Sequence, residues 1–256
     1  MRSVVGLREY GASSIADLCN AIVAITQGFE DSRAWWRGQA NAAWQLVPSL
    51  YRLDLAPSES NLNARFKLMA PARRSNCPGP GDAFGWLFLM QHYCLPTRLL
   101  DWSESPLVAL FFALEECADA QADCALWVLM PTKMNLQDLG REAILMPGSP
   151  DLRTLAIEAF VRNSANPDIR TLAVLTEQSD LRHLVQQSAF TIHGSSSPIE
   201  LMPGTDDFLV RIRIPAAARV GLHTMLALLG VSRATLFPDL DHLALELAAL
   251  EFGQLA

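Results

Sequence analysis

The chain has 256 residues, 50% of them apolar and 18% charged, with a formal net charge of −7. That length buries one large core or two small ones, and acidic residues spread along it leave no basic patch for nucleic acid. No apolar run reaches the roughly 20 residues of a membrane span or opens the chain as a signal peptide. The five cysteines are scattered without a C-x-x-C pair, which reads as reduced thiols. The expectation is a cytoplasmic protein with neither nucleic acid nor membrane as its partner.

Ser13 and Ser14 precede Ile15, Leu18, Ile22, Val23 and Ile25 at helical spacing, so a helix is expected up to a break at Gly28. Residues 34–39 form a short aromatic strand whose alternation sends Trp35 and Arg37 to one face and Trp36 to the other. Gly38 permits a close backbone approach. An arginine on such a strand needs acceptors, because a buried unpaired charge is too costly; a carboxylate of the protein and the phosphate of a ligand both fit. Residues 44–52 are extended, turn at Pro48 and carry a second arginine, Arg52.

Residues 60–70 suit a helix, and 71–81 are a loop by their prolines and glycines. Residues 82–93 read as a buried helix capped by Asp82, delivering Gln91 and His92 at its end. Leu95-Pro96 stops it, and 103–117 forms the next helix, with Leu107, Leu110, Phe111 and Leu114 facing inward. The polar cluster 97–101 is then a loop between two helices, with Asp101 and Ser103 where N-caps sit, and with Arg98 and Asp101 placed either to pair and fix a turn or to serve a site.

Residues 124–130 are a near-continuous apolar run, the mark of a central strand. Residues 135–180 suggest surface helices and loops; 185–193 resumes strand character, and 208–215 alternates cleanly, with Arg211 and Arg213 on one face. Helices follow over 216–229 and 243–250, around an aromatic turn at 235–242. Strands and helices alternate without a doubly wound rhythm, so the class is α+β: a single domain over 1–256, a mixed central sheet flanked by helices, with 54–81 and 135–180 as peripheral insertions.

Of reaction signatures there are few. The histidines show no H-x-x-x-H spacing, no G-x-S-x-G elbow is present, and Gly79-Pro-Gly81 is too short and proline-rich for a phosphate loop. No metal is therefore expected. Arg37, Gln39, Arg52, Gln91, His92, Arg98, Asp101 and Gln186 remain as a polar set beside a tryptophan-rich wall, which suits an anionic, partly aromatic small molecule such as a nucleotide.

The segments Trp36-Arg-Gly-Gln39, Pro48-Ser-Leu-Tyr-Arg52, Gln91-His-Tyr-Cys-Leu-Pro-Thr-Arg-Leu-Leu-Asp-Trp-Ser103, Ser105-Pro-Leu-Val-Ala-Leu-Phe-Phe-Ala113, Gln186 ahead of Ala189-Phe-Thr-Ile-His-Gly194, and Ala234-Thr-Leu-Phe-Pro-Asp-Leu-Asp241 resemble the FRG domain over roughly residues 30 to 245. Members of that family are mostly bacterial and phage-associated. Cys94 stands where the family usually has glycine, Ser103 where it has threonine, Ser188 for another glycine and Trp36 for phenylalanine.

A looser resemblance is to ADP-ribosyltransferases, in the order Trp36-Arg37-Gly38, then Trp102-Ser103, then Phe111-Phe-Ala113. It implies an ADP-ribosyltransferase-like fold and an enzyme that handles NAD as a substrate, acting on a protein target or hydrolysing NAD, in phage defence or as a toxin. By that resemblance Arg37 clamps phosphate, with Gly38, Gln39, Arg52, Arg98 and Ser103 around the cofactor. His92 with Tyr93 or Trp102 packs the nicotinamide side, and Asp101 with Gln186 orients the reacting ribose. The late catalytic glutamate of such enzymes falls on Gln186 and Gln187, which lack its charge. The rival expectation is a non-catalytic module that binds a nucleotide or a protein through the same residues.

Overall fold

A computed structural model describes residues 7–27, 33–115, 121–162, 165–176 and 181–252. The break at Gly28, Cys117 and the last residues of the 135–180 stretch lie outside them. The chain opens with β1 (Arg8–Gly11) and α1 (Ile15–Gln27), then β2 (Trp35–Gln39), α2 (Ser49–Arg52), α3 (Glu59–Met69), α4 (Ala83–His92), β3 (Leu99–Ser103) and α5 (Pro106–Glu115). There follow β4 (Cys124–Leu129), α6 (Pro131–Leu139), α7 (Pro150–Glu158), β5 (Thr171–Val174), α8 (Leu181–Gln186) and β6 (Ser188–His193). The last part holds α9 (Thr205–Phe208), β7 (Leu209–Ile214), α10 (Arg219–Leu228), α11 (Arg233–Leu236) and α12 (Leu240–Phe252).

Among the described residues the strands form one seven-stranded sheet, ordered β1-β7-β4-β2-β3-β6-β5. Only β1 and β7 run parallel; the other neighbours are antiparallel. This is a mixed sheet flanked by helices, the α+β arrangement expected from the irregular rhythm of elements. At its centre every residue of β4 is buried, as a run apolar on both faces requires. Helix α5 packs on β2, β3 and β4, and Gly38 lets it come close: a Cβ there would collide with the Ala109 carbonyl and the Ala113 backbone nitrogen. A second apolar cluster joins α4, α7, β5 and β6 through Leu87, Leu155, Val174 and Ile192.

The structure differs from the sequence expectations in several places, one of them 49–52, which form helix α2 where extended chain was expected. Residues 99–103 are strand β3, not a loop between helices, and four of their five side chains are buried. Helix α5 accordingly starts at Pro106, so Asp101 and Ser103 sit in a strand and are not N-caps. Residues 181–186 are helix α8 where a strand was expected from 185, and β1 and β5 were not foreseen as strands. Asp82 does cap α4, its side chain accepting from the Gly85 N–H. No helix among the described residues is long and apolar enough to cross a membrane.

Candidate functional site

Strands β2 and β4 pair over five positions, but β2 and β3 share only Trp36 with Ser103. Where that ladder stops, a cleft of about 350 Å³ is lined by Arg37 and Gly38 of β2 and by Asp101, Trp102 and Ser103 of β3. Helix α5 adds Val108, Ala109 and Phe112, the turn after α4 adds Cys94 and Leu95, and α2 adds Ser49 and Arg52. Gln91, Arg182, Gln186 and Ser188 complete the wall. The cleft thus has three arginines, Arg37, Arg52 and Arg182, against a single carboxylate, Asp101, on a protein whose net charge is −7.

Three of the four charged groups have a nameable partner. Arg37 donates from Nη1 to the Asp101 carbonyl oxygen at 2.7 Å, serving a strand carbonyl beyond the end of the β2–β3 ladder. The Asp101 carboxylate accepts from Gln91 Nε2 at 2.8 Å, and Gln91 Oε1 accepts from Thr97 Oγ1 at 2.6 Å, a relay that fixes its direction. Arg182 stacks over Phe237 at 4.6 Å, which orders a side chain that would otherwise pay rotamer entropy on binding. Arg52 is exposed at the end of α2.

Behind this wall lies a buried polar string. Trp102 Nε1 donates to Thr191 Oγ1 at 3.2 Å, and that oxygen lies 2.9 Å from His193 Nε2. Burial, reinforced by the charges of Arg37 and Arg98, pushes the His193 pKa down to about 3, so the ring is neutral. The other ring nitrogen, Nδ1, has no hydrogen-bond partner among the described residues.

Several residues expected at one site are elsewhere. Arg98 does not pair with Asp101: it is buried in a two-point ion pair with Glu59, at 2.8 and 2.5 Å, and donates also to the Leu155 carbonyl. Gln39 is buried too, accepting from Trp127 Nε1 at 2.7 Å and donating to the Gln45 carbonyl. His92 lines a separate cavity of about 210 Å³ with His183, their ring centroids 4.8 Å apart. Tyr93 is exposed, its hydroxyl accepting from Arg74 at 3.0 Å. Gln186 reaches the cleft wall, but its side-chain amide donates from Nε2 to the Leu236 carbonyl at 3.0 Å, and its backbone carbonyl accepts from Ser103 Oγ at 2.7 Å.

The cleft therefore joins Arg37, Gly38, Arg52, Asp101, Trp102, Ser103 and Gln186, and leaves out Gln39, His92, Tyr93 and Arg98. Phe112 and Arg182 were missed. For Phe112 the signal was present, since it lies one turn beyond Val108 and Ala109 on the face that borders Gly38; Arg182 was hidden by reading its helix as the approach to a strand.

Residues 32–122 match the FRG domain. No curated protein and no solved structure matches the chain. The FRG segment supplies every lining residue of the cleft except Arg182, Gln186 and Ser188. Cys94, on the cleft wall after α4, holds φ at +60°, a left-handed conformation that favours glycine over cysteine. Among the described residues no group of three or more His, Cys, Asp or Glu side chains is placed to hold a metal.

Proposed function

We propose that the cleft binds a phosphorylated ligand of the nucleotide class, and that the chain handles NAD in the manner of an ADP-ribosyltransferase or NAD glycohydrolase. The observation that carries this reading is the set of three arginines around one carboxylate in a cleft with aromatic side chains on its wall. Arginine is the side chain suited to planar, two-point contact with phosphate oxygens. At about 350 Å³ the cleft is near the lower end of ligand sites, so one half of a dinucleotide enters it and the other lies over the exposed Arg52.

In this reading Arg37, Arg52 and Arg182 hold the pyrophosphate and Phe112 borders the base. The bond from ribose C1′ to the nicotinamide nitrogen breaks, and its electron pair leaves with nicotinamide. Asp101, aimed by Gln91, stabilises the cationic sugar that remains, and water or a protein nucleophile adds to C1′ and gives up its proton to bulk water. Gln186 takes no chemical part, since its amide is engaged with the Leu236 carbonyl. A role in bacterial phage defence or as a toxin is supported by the FRG resemblance alone.

Incubation with NAD should release nicotinamide, lost in Asp101→Asn and Arg37→Ala. Absence of release together with no change in melting temperature on adding NAD would sink the proposal. A second reading, a non-catalytic module for a nucleotide or a protein partner, is favoured by the bond that already holds the Asp101 carboxylate to Gln91. It expects a melting shift with nucleotide and no turnover.

A further inference from the structure

The second cavity, of about 210 Å³, shares no described lining residue with the cleft, although α4 and α8 border both. Gln91 and Arg182 line the cleft, while His92 and His183, next along the same two helices, line the cavity. A run of rings leads into it from the core. Phe88 meets Phe190 edge-on at 5.4 Å and His183 at 4.4 Å, His183 meets His92 at 4.8 Å, and His92 meets Tyr93 edge-on at 4.9 Å. Phe84, Phe88, Leu89 and His183 on its wall are all buried, so the floor is mostly apolar and its shape is fixed before anything enters.

The run ends at the half-buried Arg74, whose guanidinium lies 5.9 Å from the centre of the Tyr93 ring. Its Nη1 donates to the Tyr93 hydroxyl at 3.0 Å and its Nε to the Asn76 carbonyl at 2.9 Å. Two of the five N–H groups of an arginine are thereby used, and Nη2 donates to no described residue. The one carboxylate among the described lining residues, Asp82, is committed to capping α4 through the Gly85 N–H. A held cation beside an aromatic floor recognises a ring that bears a carboxylate: the ring packs on the phenylalanine and imidazole faces, and the carboxylate accepts from the guanidinium.

We propose that this cavity is a second ligand site, for a small aromatic carboxylate of one ring. The volume sets the size, since it falls below the ~300–1,000 Å³ of sites for drug-sized ligands. The proposal is independent of what the cleft binds.

Benzoate is the probe, and benzamide, the same ring without the charge, is its control. Calorimetric titration of benzoate into the purified chain should saturate at millimolar concentrations, with benzamide weaker by about tenfold or more. Arg74→Gln should weaken benzoate by a similar factor, as loss of a charged hydrogen bond does, while Arg52→Ala, in the cleft, leaves it unchanged. In the wild type, benzoate should shift the imidazole NMR signals of His92 and His183 and leave those of His223 and His242 in place, which locates the site without any substitution. The proposal is overturned if benzoate does not bind, if benzamide or Arg74→Gln matches the wild-type affinity for benzoate, or if the His92 and His183 signals stay still. A loss in Arg52→Ala as large as that in Arg74→Gln also overturns it, by placing benzoate in the cleft.

Discussion

The guanidinium of Arg37 donates to the Asp101 carbonyl oxygen at 2.7 Å, joining β2 to β3 where their ladder has already ended. The sheet stays connected there through a side chain, and the space beside that side chain is the cleft. Arg37→Ala should therefore do two things at once: lower stability by about 1–2 kcal/mol for the lost charged hydrogen bond and remove one of the three cationic contacts of the site. Urea denaturation reads the first effect and nucleotide titration the second. An unchanged affinity for any nucleotide that binds would place the ligand elsewhere.

Arg98 is the contrasting arginine. Its partner Glu59 is 5% exposed and Arg98 itself 6%, so Arg98→Ala leaves a carboxylate buried and unpaired at a cost of about 3–5 kcal/mol. Replacing both, Arg98→Met with Glu59→Leu, should cost far less, because no charge is then stranded. Denaturation midpoints of the two variants decide this; equal losses would mean the pair itself holds α3 to β3.

Cys94 holds φ at +60°, which costs an L-residue about 1–2 kcal/mol and glycine little. Cys94→Gly is expected to raise the melting temperature by a few degrees, less whatever entropy the added glycine returns to the unfolded chain. It also removes a side chain from the cleft wall, so ligand affinity should hold or rise. A lower melting temperature would show that the thiol contributes packing that outweighs the strain.

His193 sets an acid limit on stability. Its pKa in the folded chain is about 3, against an ordinary 6.5, so the unfolded chain takes up a proton that the folded chain refuses. The resulting stability is complete above about pH 6.5 and is lost as the pH falls toward about 3, with a slope approaching about 1.4 kcal/mol per pH unit. Hydrogen-bonded carboxylates such as Asp123 and Asp168, held below their usual range, also lose stability in acid. The informative quantity is thus the difference in unfolding free energy between wild type and His193→Gln, which should shrink as the pH is lowered through this window. A difference independent of pH would mean that the ring is not held neutral.

What could be read in the sequence follows the range of the forces involved. Strands β2, β4 and β7 and the Asp82 cap are written in local alternation, apolar runs and capping residues, and they stand where that pattern puts them. Strand β3 is buried on both faces except at Asp101, so it shows no alternation, and its Asp and Ser imitate helix caps. The Glu59 partner of Arg98 is 39 residues away, a pairing that no spacing rule reports. His92 follows Gln91 on one helix yet faces a different cavity, because successive helical positions turn by about 100°. Proximity in sequence gathered Asp101, Trp102 and Ser103, which share the cleft, together with His92, Tyr93 and Arg98, which do not line it.

Isothermal titration of NAD and of ADP-ribose into the purified chain and into Arg37→Ala, Arg52→Ala and Arg182→Ala tests the central claim most directly. The arrangement of the cleft predicts saturable binding to the wild type and at least tenfold weaker binding to each variant, whose folds are checked by circular dichroism. Absence of binding by either ligand, or affinities that all three substitutions leave unchanged, would contradict it.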